Sequence, residues 1–222
     1  MVEKVFAVRH GQRQDSVDPD WETHADRLHD PGLTDLGRWA AWRVGRRFAE
    51  MNISIDAVYS SPFLRAVETA SEICAEISAS FAVEPGLGEH RNPEWFDAEP
   101  QTIALDRLDI QFERLHQEHV HVPKIKPNYP ESSTEAMDRI GETTRQLVES
   151  TSGALVLVGH GATIGGVVDG LIGTTEDVDA PLCGISRLDC NQSDTVSSTE
   201  TKINGNNNWQ LKYSGDTAHL DV

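Results

Sequence analysis

Two apolar runs of β-forming residues, Val5–Val8 and Ala154–Val158, each break off into a histidine beside a glycine. The first ends in Arg9-His10-Gly11 with Arg13 close behind, the second in Gly159-His160-Gly161. Short unbroken apolar runs of this kind are buried strands, so the chain is constrained to an α/β arrangement whose strand ends carry charge to a surface crevice. Such strand ends are where α/β proteins bind ligands. Arginine forks hold phosphate or carboxylate oxygens, and a histidine beside them can serve as base or nucleophile. Gly11 is expected to let the backbone turn closely around a bound group. The guest that suits this cluster is a phosphate ester. A strand also ends in polar residues when it merely reaches solvent, and the rest of the chain has to separate the two readings.

The segment from Gln14 to Gly32 has no clear period and is long for a connection, as functional loops often are. Thr34 reads as an N-cap, and Trp39, Trp42, Val44 and Phe48 place a helix running to about Met51. Ala57–Ser60 reads as a second strand, leading through Ser61 and Pro62 into a helix that carries Leu64, Val67, Ala70, Ile73 and Ile77. Arg65 falls in the first turn of that helix, where the dipole disfavours a cation, so its guanidinium is expected to face a bound anion. A third strand, Phe81–Val83, precedes a Gly- and Pro-rich loop with two carboxylates, Glu84 and Glu89. Glu99–Tyr129 reads as a polar, partly helical insertion. The capping sequence Glu131-Ser-Ser-Thr-Glu135 opens a helix to Ser150. A small-residue helix follows His160. Strands are predicted at Gly184–Leu188, Val196–Ile203 and Trp209–Tyr213, with a patternless, loosely ordered tail beyond Ser214.

Composition bounds the rest. The 222 residues, 38% apolar and 25% charged, fit one soluble domain spanning 1–222. A formal charge of −17 argues against nucleic acid and anionic membranes as partners. An anionic substrate would then need a local arginine cluster to reverse the field in one crevice. Fourteen of the nineteen basic residues are arginine. Three cysteines with no framework spacing, and an amino terminus that enters a strand without a basic and then apolar leader, point to a cytoplasmic location. The most apolar stretch, Ala154–Ile172, is broken by His160 and Asp169 and reads as strand plus helix rather than a membrane span.

The order Arg9-His10-Gly11, then SSPFLRAVETA, then the glutamate of PGLGE, then Gly159-His160-Gly161 resembles the histidine phosphatase superfamily, the phosphoglycerate-mutase-like fold. The resemblance covers roughly Val5 to Ile172, and LTDLG at 33–37 resembles that family's helix start. Arg13, the long loop with Trp21, and EPGLGE resemble the branch that includes the suppressor-of-T-cell-receptor-signalling and ecdysteroid-phosphate phosphatases. The Glu-His pair at 89–90 departs from the aromatic expected there, so substrate preference does not carry over.

The resemblance implies a three-layer α/β/α sandwich with a mainly parallel sheet, with segments 15–32 and 99–129 covering the site. It implies a metal-independent phosphomonoester hydrolase with no cofactor, acting on a small-molecule or phosphoprotein ester. His10 would be the nucleophile, Arg9, Arg65 and Arg13 would clamp the phosphoryl oxygens, His160 would add a donor, and Glu89 would protonate the leaving group. His10 must be neutral with one nitrogen bare, so its other nitrogen is expected to donate to a backbone carbonyl. Glu84 competes with Glu89, although a carboxylate exposed at a strand end needs no function. Phosphoglycerate mutase chemistry is the alternative enzyme, and a phosphate-binding scaffold the non-enzyme. Gln12-Arg13-Gln14 differs from the mutase continuation after Arg-His-Gly. His116, His119 and His121 read as part of a solvated insertion rather than a metal site. Trp21 and Trp95 either line the mouth or pack their loops. The last strands leave a sheet edge open to homodimer pairing.

Overall fold

A computed structural model describes residues 1–116, 123–175, 178–191 and 208–221. In chain order the elements are β1 (Val2–Arg9), α1 (Trp21–His24), α2 (Asp35–Glu50), β2 (Ala57–Ser60), α3 (Leu64–Ile77), β3 (Ala82–Val83) and α4 (Leu105–Gln111). There follow α5 (Ser133–Ser150), β4 (Gly153–Gly159), α6 (Gly161–Ile172), β5 (Ile185–Cys190) and β6 (Trp209–Asp216). Six strands form one sheet in the order β3-β2-β4-β1-β5-β6. β1, β2, β3 and β4 run parallel, with Val5 opposite Leu155 and Val8 opposite Val158, and β5 lies antiparallel on the other side of β1.

The two histidine-bearing strands are therefore neighbours, and the register that pairs Arg9 with Gly159 brings both strand ends to one place. Alternation along β1 divides the core. Phe6 and Val8 face the cluster under α2 and α3, with Val44, Phe48, Val67 and Ile73. Val5 and Ala7 face the opposite cluster under α5 and α6, with Ile140, Leu147, Ile164 and Val167. A strand covered on both faces has no use for polar alternation, which is why the run reads as continuous. The architecture is the expected three-layer sandwich.

Local signals start the helices. Thr34 Oγ1 accepts from Gly37 N at 3.0 Å at the head of α2. Ser132 and Glu135 form a reciprocal capping box at the head of α5. Caps of this kind contribute about 1 kcal/mol each.

Three expectations change. The chain beyond Ser214 is ordered: β6 continues to Asp216, and a 3-10 turn, Ala218–Leu220, follows. Two long-range bonds fix it, from Arg43 Nε to His219 O at 2.7 Å and from His219 Nε2 to Cys183 O at 3.0 Å. The insertion does less covering of the site than expected. Leu108 and Leu115 are buried in the α2/α3 cluster, and Leu115 bridges to Phe81, so residues 105–115 extend the core beside β3. Glu84 is fully buried rather than exposed. The predicted strand Val196–Ile203 and residues His119 and His121 lie outside the described residues. Among the described residues, no helix is long and apolar enough to cross a membrane.

Candidate active site

Arg9 and His10 leave β1, and His160 leaves β4 directly into α6. Arg65 comes from the first turn of α3, and Glu89 from the loop after β3. These five side chains converge. The His10 and His160 rings sit edge to face, with centroids 5.3 Å apart. Glu89 Oε2 lies 3.7 Å from Arg65 Nη2 and 3.3 Å from His160 Nδ1. His10, Arg65 and His160 are almost wholly buried, and the Glu89 side chain is 16% exposed. Arg13 stands at the rim, its guanidinium 2.9 Å from Asp15.

His10 Nδ1 lies 2.8 Å from Gly11 O. A carbonyl only accepts, so Nδ1 carries the proton and Nε2 keeps its lone pair. Burial, together with Arg65, Arg9 and Arg13, holds the ring well below the ordinary histidine range and hence neutral. His160 is held down in the same way, by burial first and then by Arg65, His10, Arg9 and Arg13. Burial also lowers Arg65 to about 10, which leaves it charged at neutral pH.

Ser61 holds the far side of the His160 ring. Ser61 Oγ sits 2.7 Å from His160 Nε2, and its other neighbour, Phe63 N, is a donor. His160 Nδ1, on the other side of the ring, faces Glu89. At 3.3 Å that contact lacks hydrogen-bond geometry, and Nδ1 is buried. Arg9 Nε and Arg65 Nε are buried and unpartnered as well. Buried polar atoms are nearly always satisfied in folded proteins, so three exceptions on the side chains that act on His10 stand out. The starts of α3 and α6 add backbone N–H dipoles on the same side.

Several supports were not legible as such. Asp30 Oδ1 accepts from Leu64 N at 2.6 Å, capping α3 and so fixing Arg65. Arg139, on α5, donates to the carbonyls of Gly86 and Gly88 at 2.7 and 3.2 Å and lies 3.4 Å from that of Glu89, while its fork grips the Glu131 carboxylate. Glu84 Oε1 accepts from Gly86 N and its Oε2 from Lys124 N, a structural role that ties the loop to the insertion. Gly11 has a packing role of its own: a Cβ there would stand 2.6 Å from Gly37 O, so the glycine admits the first turn of α2. Trp21 packs its own loop, donating to Leu28 O at 2.9 Å, whereas Trp95 is 58% exposed with its ring against His90.

The histidine phosphatase superfamily (branch 1) model matches residues 5–201. Among curated proteins, the chain is 28% identical to the ecdysteroid-phosphate phosphatase of Bombyx mori over 214 residues, 79% of this chain and 31% of that protein. It thus spans about a third of that relative's length. It is 27% identical to the probable phosphoglycerate mutase GpmB of Yersinia pestis over 228 residues, 99% of this chain and 95% of that one. The crystal structure of the Bombyx mori ecdysone phosphate phosphatase in complex with tungstate superimposes with a TM-score of 0.71 at 23% identity, over 90% of this chain and 98% of that one. The match runs through both histidine-bearing strand ends, and the chain belongs to the histidine phosphatase superfamily.

Proposed function

We propose that this protein hydrolyses phosphate monoesters through a covalent phosphohistidine on His10, with the positive charge supplied by arginine rather than by a metal. The observation that carries the reading is a neutral His10 with its Nε2 bare, set against His160 and within the field of Arg65, Arg9 and Arg13.

In the first step His10 Nε2 attacks phosphorus in line, the ester P–O bond breaks, and Glu89 gives its proton to the leaving oxygen. Arg9, Arg65 and the His160 Nδ1–H stabilise the equatorial oxygens, and Arg13 adds to the field from the rim. In the second step water attacks the phosphohistidine, Glu89 takes the water proton, and His10 and orthophosphate are released. Ser61 orients the His160 ring through Nε2. The substrate class is a phosphate-bearing small molecule or phosphoprotein, and the same reading includes a cytoplasmic location and one catalytic domain. A homodimer would pair along β6, the outer strand of the sheet.

Mutase chemistry, in which phosphohistidine returns its phosphoryl group to the substrate, is the second reading, favoured by the likeness to a probable phosphoglycerate mutase over nearly the whole chain. Gln12-Arg13-Gln14 beside His10 supports the hydrolase. Orthophosphate release from an aryl phosphate, set beside 2- and 3-phosphoglycerate interconversion, discriminates. Interconversion without net phosphate release would replace the hydrolase reading.

A further inference from the structure

The ladder between β1 and β4 runs out at His10. Its amide donates to Gly159 O at 2.9 Å, and β4 ends at Gly159, so the next amide, that of Gly11, has no strand beside it. A buried backbone N–H must still find a partner, and glycine is the residue least able to hold a conformation by itself. Yet the Gly11 carbonyl needs a fixed place, because it receives the His10 Nδ1 proton at 2.8 Å and so keeps Nε2 bare.

Thr69 takes up the loose end. Its Oγ1 accepts from Gly11 N at 3.2 Å and bonds to Arg65 O at 2.7 Å, and the side chain is fully buried. The direction of both bonds is set. A carbonyl only accepts, so the hydroxyl proton goes to Arg65 O and the lone pairs are left for the amide. A bond back to the carbonyl four residues earlier is ordinary for a helical threonine. Thr144 makes the same bond on α5, to Ile140 O at 2.8 Å, without a long-range partner among the described residues. The helix does not account for the second bond of Thr69, to an amide 58 residues away.

The rest of the turn is held from α2. Gly37 O leaves no room for a Cβ on Gly11, and Thr34 N donates to Gln12 O at 3.0 Å. The segment after His10 is thus fastened between α2 and α3, with its first amide fastened by Thr69.

We propose that Thr69 is a positioning residue for the nucleophile: by tying the Gly11 amide to the helix that carries Arg65, it keeps the His10 ring in the Nδ1–H tautomer, with Nε2 aimed at the phosphoryl group that Arg65 holds. The inference rests on His10 being the nucleophile. Without the hydroxyl the Gly11 backbone is free to turn, Nδ1 loses its acceptor, and the ring populates the Nε2–H tautomer, which cannot attack.

Thr69→Val keeps the shape of the side chain and deletes the hydroxyl. The expected result is a fall in kcat on an aryl phosphate of about tenfold or more, while the inhibition constant of orthophosphate moves by less than about twofold because Arg9 and Arg65 keep their places. The ring-nitrogen NMR shifts of His10 should change from the Nδ1–H pattern to a mixture of the two neutral tautomers. Thr69→Ser, which retains the hydroxyl, should restore both the rate and the pattern, and Thr144→Val, which loses only a bond within its helix, should turn over as wild type does. If Thr69→Val does not fold, the same measurements are made on Thr69→Cys, whose thiol is a weaker donor and acceptor. Wild-type kcat in the hydroxyl-deleted variant, an equal loss in Thr69→Ser, an unchanged His10 tautomer, or a loss of orthophosphate affinity as large as that of kcat would overturn the proposal. His10→Ala is measured alongside. Turnover retained there would overturn the nucleophile itself, whereas turnover lost there but unchanged without the Thr69 hydroxyl would remove only the role of Thr69.

Discussion

Replacing Arg139 with methionine should separate what holds the Glu89 loop from what reacts in it. The Arg139 and Glu131 side chains are only 6% and 4% exposed. The guanidinium engages both Glu131 oxygens and the carbonyls of Gly86 and Gly88, and Glu131 Oε1 also accepts from Arg91 N. Methionine keeps much of the apolar stem but strands a buried carboxylate, which costs ~3–5 kcal/mol. The loop carbonyls are coupled to the same group, so their loss is not added separately. At ~2–4 °C per kcal/mol for a chain of this size, the melting temperature should fall by roughly 6–20 °C. A shift of ~1 Å at Glu89 would cost on the order of 10²-fold in rate. With Glu89 as the proposed proton donor to the leaving group, the rate loss should fall harder on an alkyl phosphate than on an activated aryl phosphate. Thermal unfolding and kcat on both substrates provide the assay, with Glu131→Gln/Arg139→Met as control. That control should regain most of the stability and little of the alkyl phosphate turnover. A destabilisation below ~1 kcal/mol would put the pair in the class of exposed ion pairs. Equal rate losses on the two substrates would refute the positioning of Glu89.

Glu89→Gln should lower alkyl phosphate turnover by ~10²–10⁴-fold and aryl phosphate turnover much less, measured as a leaving-group series. Ser61→Ala removes the hydrogen-bond partner of His160 Nε2, and kcat/KM should drop by about tenfold, the worth of one buried hydrogen bond, with the fold intact by circular dichroism. Gly11→Ala drives a methyl group against Gly37 O and should cost ~1–3 kcal/mol in urea unfolding even without substrate. His10 and His160 are held neutral when folded and titrate near 6.5 when unfolded, so the unfolded state takes up more protons below that pH. Stability in phosphate-free buffer should therefore fall as pH drops below about 6.5, by ~1.4 kcal/mol per pH unit for each ring. In His160→Asn the slope should lose that ring's share, ~1.4 kcal/mol per pH unit.

Much of this was legible because the information is local. Val5–Val8 and Ala154–Val158 announce buried strands by lacking alternation, and Thr34 and Ser132–Glu135 cap helices through bonds spanning three residues. Arg65 could be picked out because a cation in a helix's first turn runs against the dipole. Glu89 came from the family resemblance, since nothing local separates it from Glu84. What stayed hidden depends on long-range contacts: Ser61 with His160 is 99 residues apart, and Arg139 with Gly86 is 53. Ser61 stood inside a recognised motif, but its hydroxyl acquires meaning only when β4 lies beside β2. Leu108 and Leu115 were lost in a polar segment, and the last residues were too few to show a period, so both needed the packed core to give them a place.

The central claim is a phosphoryl group carried by His10 during turnover. Rapid acid-free quenching of the protein with an aryl phosphate in the presence of chelator, followed by peptide mass spectrometry, tests it directly. An acid-labile phosphoryl group on His10, formed at the rate of turnover and absent with turnover in His10→Ala, is the expected result. Undiminished turnover in His10→Ala, or a kinetically competent phosphoryl group on another residue, would contradict the account.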